Sequence, residues 1–300
     1  PTPHDEQAIR LPANDPRVLA LTHPPEQYRV TKWRLRTLDQ LNRLAYVFDT
    51  GAPKPVYRGQ GDYTWNLETR LERNAPAFVK HESGLEVFEY QTLTEAKRRL
   101  HHYLDKLPED EDLLSWLALL RHHGVPTRLL DVTKSMFIAC YFAMRDARSS
   151  QDAALWIFQR NPFDRAYTTW SYRHREAVLR ESPFTVAQYG EYYWPFPKSV
   201  SRSSRKITYD SLREWPDGPW LNFAAVLEAA MLGFVEKPGV GIAEPYWLPK
   251  RMDVQQGAFL IPFNVRYSFE ENLYSYLSLD RTQDLKTDED TDFIETNLTF

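Results

Sequence analysis

An α+β fold, with mixed helices packed on a central β-sheet, is what this sequence predicts, and three observations carry the prediction. Apolar residues recur at helical spacing in several separate windows. Short apolar runs of strand length lie far apart at about 55–58, 153–158 and 257–262. The 300 residues are 42% hydrophobic and 14% aromatic, ample for one large buried core.

Taken in order, residues 1–28 are rich in Pro and polar residues without a sustained period and read as an extended N-terminal arm. Trp33, Leu35, Leu38, Leu41 and Leu44 predict an amphipathic helix that breaks near Thr50-Gly51-Ala52-Pro53, followed by a strand at 55–58. A long helix is expected over 82–104, with Leu85, Phe88, Leu93 and Leu100 on its apolar face. The acidic run 108–112 reads as the first turn of the next helix, where carboxylates face the positive end of the dipole. Leu113, Trp116, Leu117 and Leu120 continue that helix to Gly124 and Pro126. The run 136–144 is apolar on every side and predicts a helix buried on all faces, and 153–158 a buried strand. Residues 161–221 read as an aromatic-rich insertion within a main domain of 29–265, the length of a functional lid. A helix over 224–234 and a late core strand over 257–262 complete the domain, leaving 266–300 as a C-terminal tail in which 286–292 reads as acidic and solvated.

A formal net charge of -4 supplies no global field for nucleic acid or an anionic membrane, so either would need a local patch. No apolar run approaches the roughly 18 residues that span a bilayer, so no membrane partner is expected. The lone Cys140 cannot form an internal disulfide, and its apolar neighbours suggest a buried thiol in a reducing compartment, read here as cytoplasmic. His101-His102 and His122-His123 are adjacent pairs that would point to different faces of a helix. There is no Cys cluster and no His-Glu-x-x-His, so no metal site is expected.

Two clusters concentrate chemistry. In the first, Tyr57-Arg58-Gly59-Gln60 is followed by Asp62, Trp65, Arg70 and Arg73; an Arg at a strand end before Gly can present its planar fork to a phosphate or carboxylate. A turn glycine beside a structural Arg ion pair is the alternative. The second, Arg121-His122-His123-Gly124-Val125-Pro126-Thr127-Arg128-Leu129-Leu130-Asp131-Val132-Thr133, places two Arg, two His, one Asp and two Thr between two helices, where loop residues converge on ligands. Here too the residues leave alternatives: Thr133 as a helix cap, Asp131 paired with Arg128, His122 as a proton donor or a hydrogen-bonded core residue.

These motifs, with the later Arg251, Gln255, Gly257 and Phe259, resemble the FRG domain over about 33–261. Its architecture is similar in turn to that of ADP-ribosyltransferases, which implies NAD as cofactor and an ADP-ribosyltransferase-like core. The resemblance implies that Tyr57, Arg58, Gly59 and Gln60, with Arg128 and Thr133, bind the cofactor. It gives Asp131 with Thr133 the ribose or nicotinamide side, and Gln255 the place of a late-strand Glu. A Gln cannot supply the negative charge that steadies an oxocarbenium-like ribose, a loss of about 3 kcal/mol or more, so Asp253 or Glu244 is a candidate replacement. By strand alternation Asp253 would share a face with Gln255.

The implied function is a nucleotide-using transferase, suited in bacteria or phage to a toxin or defence effector, with a protein or nucleic-acid target. Two other classes stay open: a non-catalytic module that senses a nucleotide or binds a protein, and an RNase or phosphodiesterase using His122, Arg128 and Arg58.

Overall fold

The computed structural model describes residues 34–50, 53–74, 84–110, 112–147, 151–163, 235–245 and 254–279, with residues 30, 166, 170, 226–227 and 230–231 besides. Five strands form an antiparallel sheet: β1 (Val56–Gln60), β2 (Leu130–Thr133), β3 (Ala154–Phe158), β4 (Val240–Ala243) and β5 (Gly257–Pro262), in the order β3-β1-β2-β5-β4. The helices are α1 (Leu38–Thr50), α2 (Arg70–Asn74), α3 (Gly84–Arg99), α4 (Leu113–His122), α5 (Met136–Asp146) and α6 (Phe269–Tyr276). The fold is α+β, as the sequence predicts.

Alternation along the strands sends side chains to two covered faces. On one, Tyr57 meets Met136 and Ala139 of α5 and Leu44 and Phe48 of α1. Phe259 and Ile261 on the same face meet Trp116, Leu117 and Leu120 of α4. On the other, Val56, Leu130, Val132, Ala258 and Leu260 pack against Phe269 and Leu273 of α6. The stretch after residue 265, expected as a C-terminal tail outside the domain, contributes a core helix before the described residues end, and 286–292, expected as acidic and solvated, lie outside them. Ser268 and Glu271 close a reciprocal capping box at its start.

Several local expectations change in the folded chain. The acidic run does not enter α4: the helix begins at Leu113, and Asp112 caps it by accepting from the Ser115 amide at 3.0 Å. Helix α5 is not buried on all faces; Met136, Ala139 and Ala143 face the protein while Phe137, Tyr141 and Met144 are exposed. An all-apolar run leaves the choice of buried stripe to the partner, and the sheet selects the small residues because α5 lies directly on Gly59. A Cβ there would sit 1.9 Å from the Ala139 carbonyl oxygen and 2.7 Å from the Ala143 amide. Cys140 on the same helix is half-buried rather than enclosed, and burial raises its thiol pKa. Strand β3 is an edge strand, mostly half-buried. Within the expected 224–234 helix, Val226, Leu227, Ala230 and Met231 are helical and buried. The N-terminal arm and most of the aromatic insertion lie outside the described residues. No helix among the described residues is long and apolar enough to cross a membrane.

Candidate functional site

Pairing within the sheet is uneven. β1 meets β3 over five residue pairs, and β2 meets β5 over four, but β1 and β2 share only Tyr57 opposite Thr133. The ladder stops before Gly59 would face Asp131, leaving a seam between a β3-β1 half and a β2-β5-β4 half. Arg58 reaches across this seam: its Nη1 donates to the Asp131 carbonyl oxygen at 2.8 Å, replacing a ladder bond that the backbone does not make. The residue is half-buried, and its enclosed Nε has no hydrogen-bond partner among the described residues. No ion pair to Arg58 is present among the described residues.

The carboxylate of Asp131 belongs to another arginine. Arg121, in the last turn of α4, places Nε 3.2 Å from Oδ1 and Nη2 against Oδ2, a two-pronged pair. One residue of β2 thus gathers two arginines, Arg58 through its backbone and Arg121 through its side chain. Arg70 of α2 donates to the Gly124 carbonyl at 3.1 Å, just beyond the end of α4, and Gly124 takes the positive φ of 86° that ends the helix there.

Electrostatically the seam is cationic. Burial lowers the Arg58 pKa to about 10; the Asp131 charge opposes that shift, and the nearby Arg121 and Arg73 charges add to it. The Arg70 pKa is also lowered, by burial first and then by Arg121 and Arg73, with Asp131 again opposing. Arg58 and Arg70 each feel the charges of Arg121, Arg73 and Asp131. Such a seam can bind an anion, and Asp131 supplies its one identified negative charge.

Several expected site residues are committed elsewhere. Arg128 is fully buried and does not pair with Asp131: its Nε and its backbone N–H each lie 2.7 Å from the Glu89 carboxylate, and its Nη atoms lean on the Phe263 and Ala230 carbonyls at 3.4 and 3.5 Å. It cannot reach a ligand at the seam. Thr133 does not cap α5; Ser135 does, while the Thr133 hydroxyl donates to the Gln255 carbonyl at 2.7 Å and accepts from the Ser135 amide at 3.1 Å. Tyr57 is buried against α1 and α5. Gln60 is buried between the Asn66 carbonyl, to which it donates at 3.1 Å, and the Trp156 indole N–H, which it accepts. Gly59 is the contact point of α5 rather than an approach for a ligand.

Gln255 is not on the late strand. It lies with Gln256 in the turn before β5, where Gln256 takes a φ of 49° and its carbonyl accepts from the Lys134 amide at 3.0 Å. The strand alternation that would pair Gln255 with Asp253 does not extend that far, and Asp253 and Arg251 lie outside the described residues. Glu244 follows β4 at the far edge of the sheet, clasped by Lys134 at 3.0 Å and by Arg160. His122 is exposed at the end of α4, its ring edge-on to His123 with centroids 5.2 Å apart. Among the described residues no group of three or more His, Cys, Asp or Glu is placed to hold a metal ion.

Residues 53–152 match the family model described as the FRG domain. That segment is an FRG domain. It runs from just before β1 to just before β3, so it contains both halves of the seam and all four arginines. Gln255, Gly257 and Phe259 lie outside the match. No curated protein and no solved structure matches the chain.

Sequence reasoning undervalued two features of this FRG domain. Arg121, which the sequence offers only as one of the two arginines of the second cluster, supplies the side-chain partner of Asp131. Strand β2 was read as loop, although Leu130-Asp131-Val132-Thr133 alternates apolar and polar as a strand does.

Proposed function

We propose that this chain is a nucleotide-using enzyme resembling NAD-dependent ADP-ribosyltransferases, with the phosphates of NAD or a related nucleotide held at the seam between β1 and β2. One observation carries the reading: among the described residues the guanidinium of Arg58 meets a backbone carbonyl but pairs with no carboxylate, and its enclosed Nε has no partner. A half-buried cation without a paired carboxylate carries a desolvation cost that an anionic ligand at this position would offset. The planar fork of Arg suits a phosphate oxygen pair.

For transfer, the bond between nicotinamide nitrogen and ribose breaks, its electron pair leaving with neutral nicotinamide. The ribose cation is then captured by an acceptor that gives up a proton. A carboxylate facing that cation stabilises the transition state. Asp131 is the carboxylate on the seam, and it takes this role in our reading, because Gln255 lies in a turn and carries no charge.

The test is calorimetric titration with NAD beside an assay for released nicotinamide, on the wild-type chain and Arg58→Ala. The expected result is saturable binding, weakened about tenfold or more in the folded variant, together with nicotinamide release by the wild type. The neutral Gln255 favours a second reading, a nucleotide sensor without turnover, which binding without release would select. If the wild-type chain does not bind NAD, the nucleotide reading fails.

A further inference from the structure

Arg121 and Asp131 form the other half of the seam, and nothing so far gives Arg121 a ligand. Its side chain is 12% exposed and sits in a fixed two-pronged embrace of the Asp131 carboxylate, which is itself 43% exposed. A planar guanidinium gripping two oxygens of one carboxylate has the geometry it would use on two oxygens of one phosphate. Beside it, Arg58 donates to the carbonyl of that same Asp131 and leaves its buried Nε unpartnered. The two guanidiniums are therefore tied to one residue, one with an unmet donor and one with a displaceable carboxylate.

We propose that Arg121 is a second anion-binding residue of the seam and that Asp131 is its internal placeholder, so that a ligand with two adjacent phosphates bridges Arg58 and Arg121 and displaces the Asp131 carboxylate. The substrate class is a diphosphate, and the inference rests on the nucleotide reading only for the rest of that ligand. Charge supports it: the Arg121 charge acts on both Arg58 and Arg70, and the Asp131 carboxylate opposes the shift at each, a setting that suits an anionic ligand. The exchange breaks no covalent bond. It also frees the Asp131 carboxylate, at the moment of binding, to face the sugar.

The experiment uses inorganic pyrophosphate and inorganic phosphate as probes, titrated into the wild-type chain, Arg121→Gln and Asp131→Asn, with a thermal melt of each. Asn keeps the backbone carbonyl that Arg58 uses and removes only the competing charge. The wild type should prefer pyrophosphate by about tenfold, and Arg121→Gln should lose that preference. Asp131→Asn should bind pyrophosphate about three- to tenfold more tightly than the wild type. Weakened or unchanged pyrophosphate binding in Asp131→Asn overturns the placeholder role, and it can be read even if Arg121→Gln unfolds. A pyrophosphate preference that persists in folded Arg121→Gln overturns the role of Arg121. Should NAD bind the wild type while pyrophosphate does not, this inference fails and the nucleotide reading stands. The expected pyrophosphate pattern without NAD binding has the opposite meaning.

Discussion

Arg58 and Arg128 both come from the motifs that mark the FRG domain, one half-buried and one fully buried, and the fold treats them in opposite ways. Arg128 is fully buried, with Glu89 of α3 accepting from both its side chain and its amide and two carbonyls approaching the rest of the fork. Among the described residues Arg58 is given one carbonyl, no paired carboxylate and an unpartnered Nε. Arg128 is fully buried and Arg58 half-buried with only its Nε enclosed, so the two differ in exposure as well as in whether a described carboxylate pairs with them. The closed pair ties α3 to the segment entering β2 and to the end of β5. The open one stands where β1 and β2 part.

The largest effect should come from breaking the closed pair. Glu89→Ala leaves the Arg128 cation uncompensated in the core, and thermal or denaturant unfolding should show a loss of about 3–5 kcal/mol. A loss below about 1 kcal/mol would mean that Arg128 finds solvent or another partner, and the contrast with Arg58 would weaken. Arg58→Met should behave differently: it removes a cation that the protein does not neutralise, so stability should stay within about 1 kcal/mol of the wild type or rise, while anion binding is lost. Destabilisation as large as that of Glu89→Ala would make Arg58 a structural residue.

The smallest effect is expected at Glu244, whose clasp by Lys134 and Arg160 is partly exposed and serves as the reference for an ordinary ion pair. Burial would raise its pKa, but the hydrogen bonds and charges of Arg160 and Lys134 outweigh it and hold the carboxyl below its ordinary 4.5. A lowered folded pKa means that the stabilisation is present above pH 4.5 and is lost as pH falls through the folded value. Glu244→Gln should therefore cost about 0.5 kcal/mol near neutral pH, with the difference from wild type fading in acid. A gap that stays constant with pH would assign the contact to packing instead.

The legible parts of the molecule were those governed by local period. Leu38, Leu41 and Leu44 announce α1; Leu113, Trp116, Leu117 and Leu120 announce α4; the run from Gly257 to Pro262 announces β5. Strand β4 escaped because Val240-Gly241-Ile242-Ala243 is too short and too rich in small residues to show a period. Helix α3 carried a hint that was not usable alone. Its apolar positions are irregular, and two glutamates, Glu86 and Glu89, sit on its buried side, paired with Arg266 and Arg128.

By itself, then, the sequence determined the helices with clear periods, the strands β1, β3 and β5 and the two motifs that mark the FRG domain, because these depend on residues a few positions apart. Only the tertiary structure decided which arginine each carboxylate takes, which side of α5 faces the sheet and where the sheet opens. Glu89 is 39 residues from Arg128 and Asp131 is 73 from Arg58. Over such separations a charge is matched to its partner by the packing of whole elements, and local spacing carries no record of the choice.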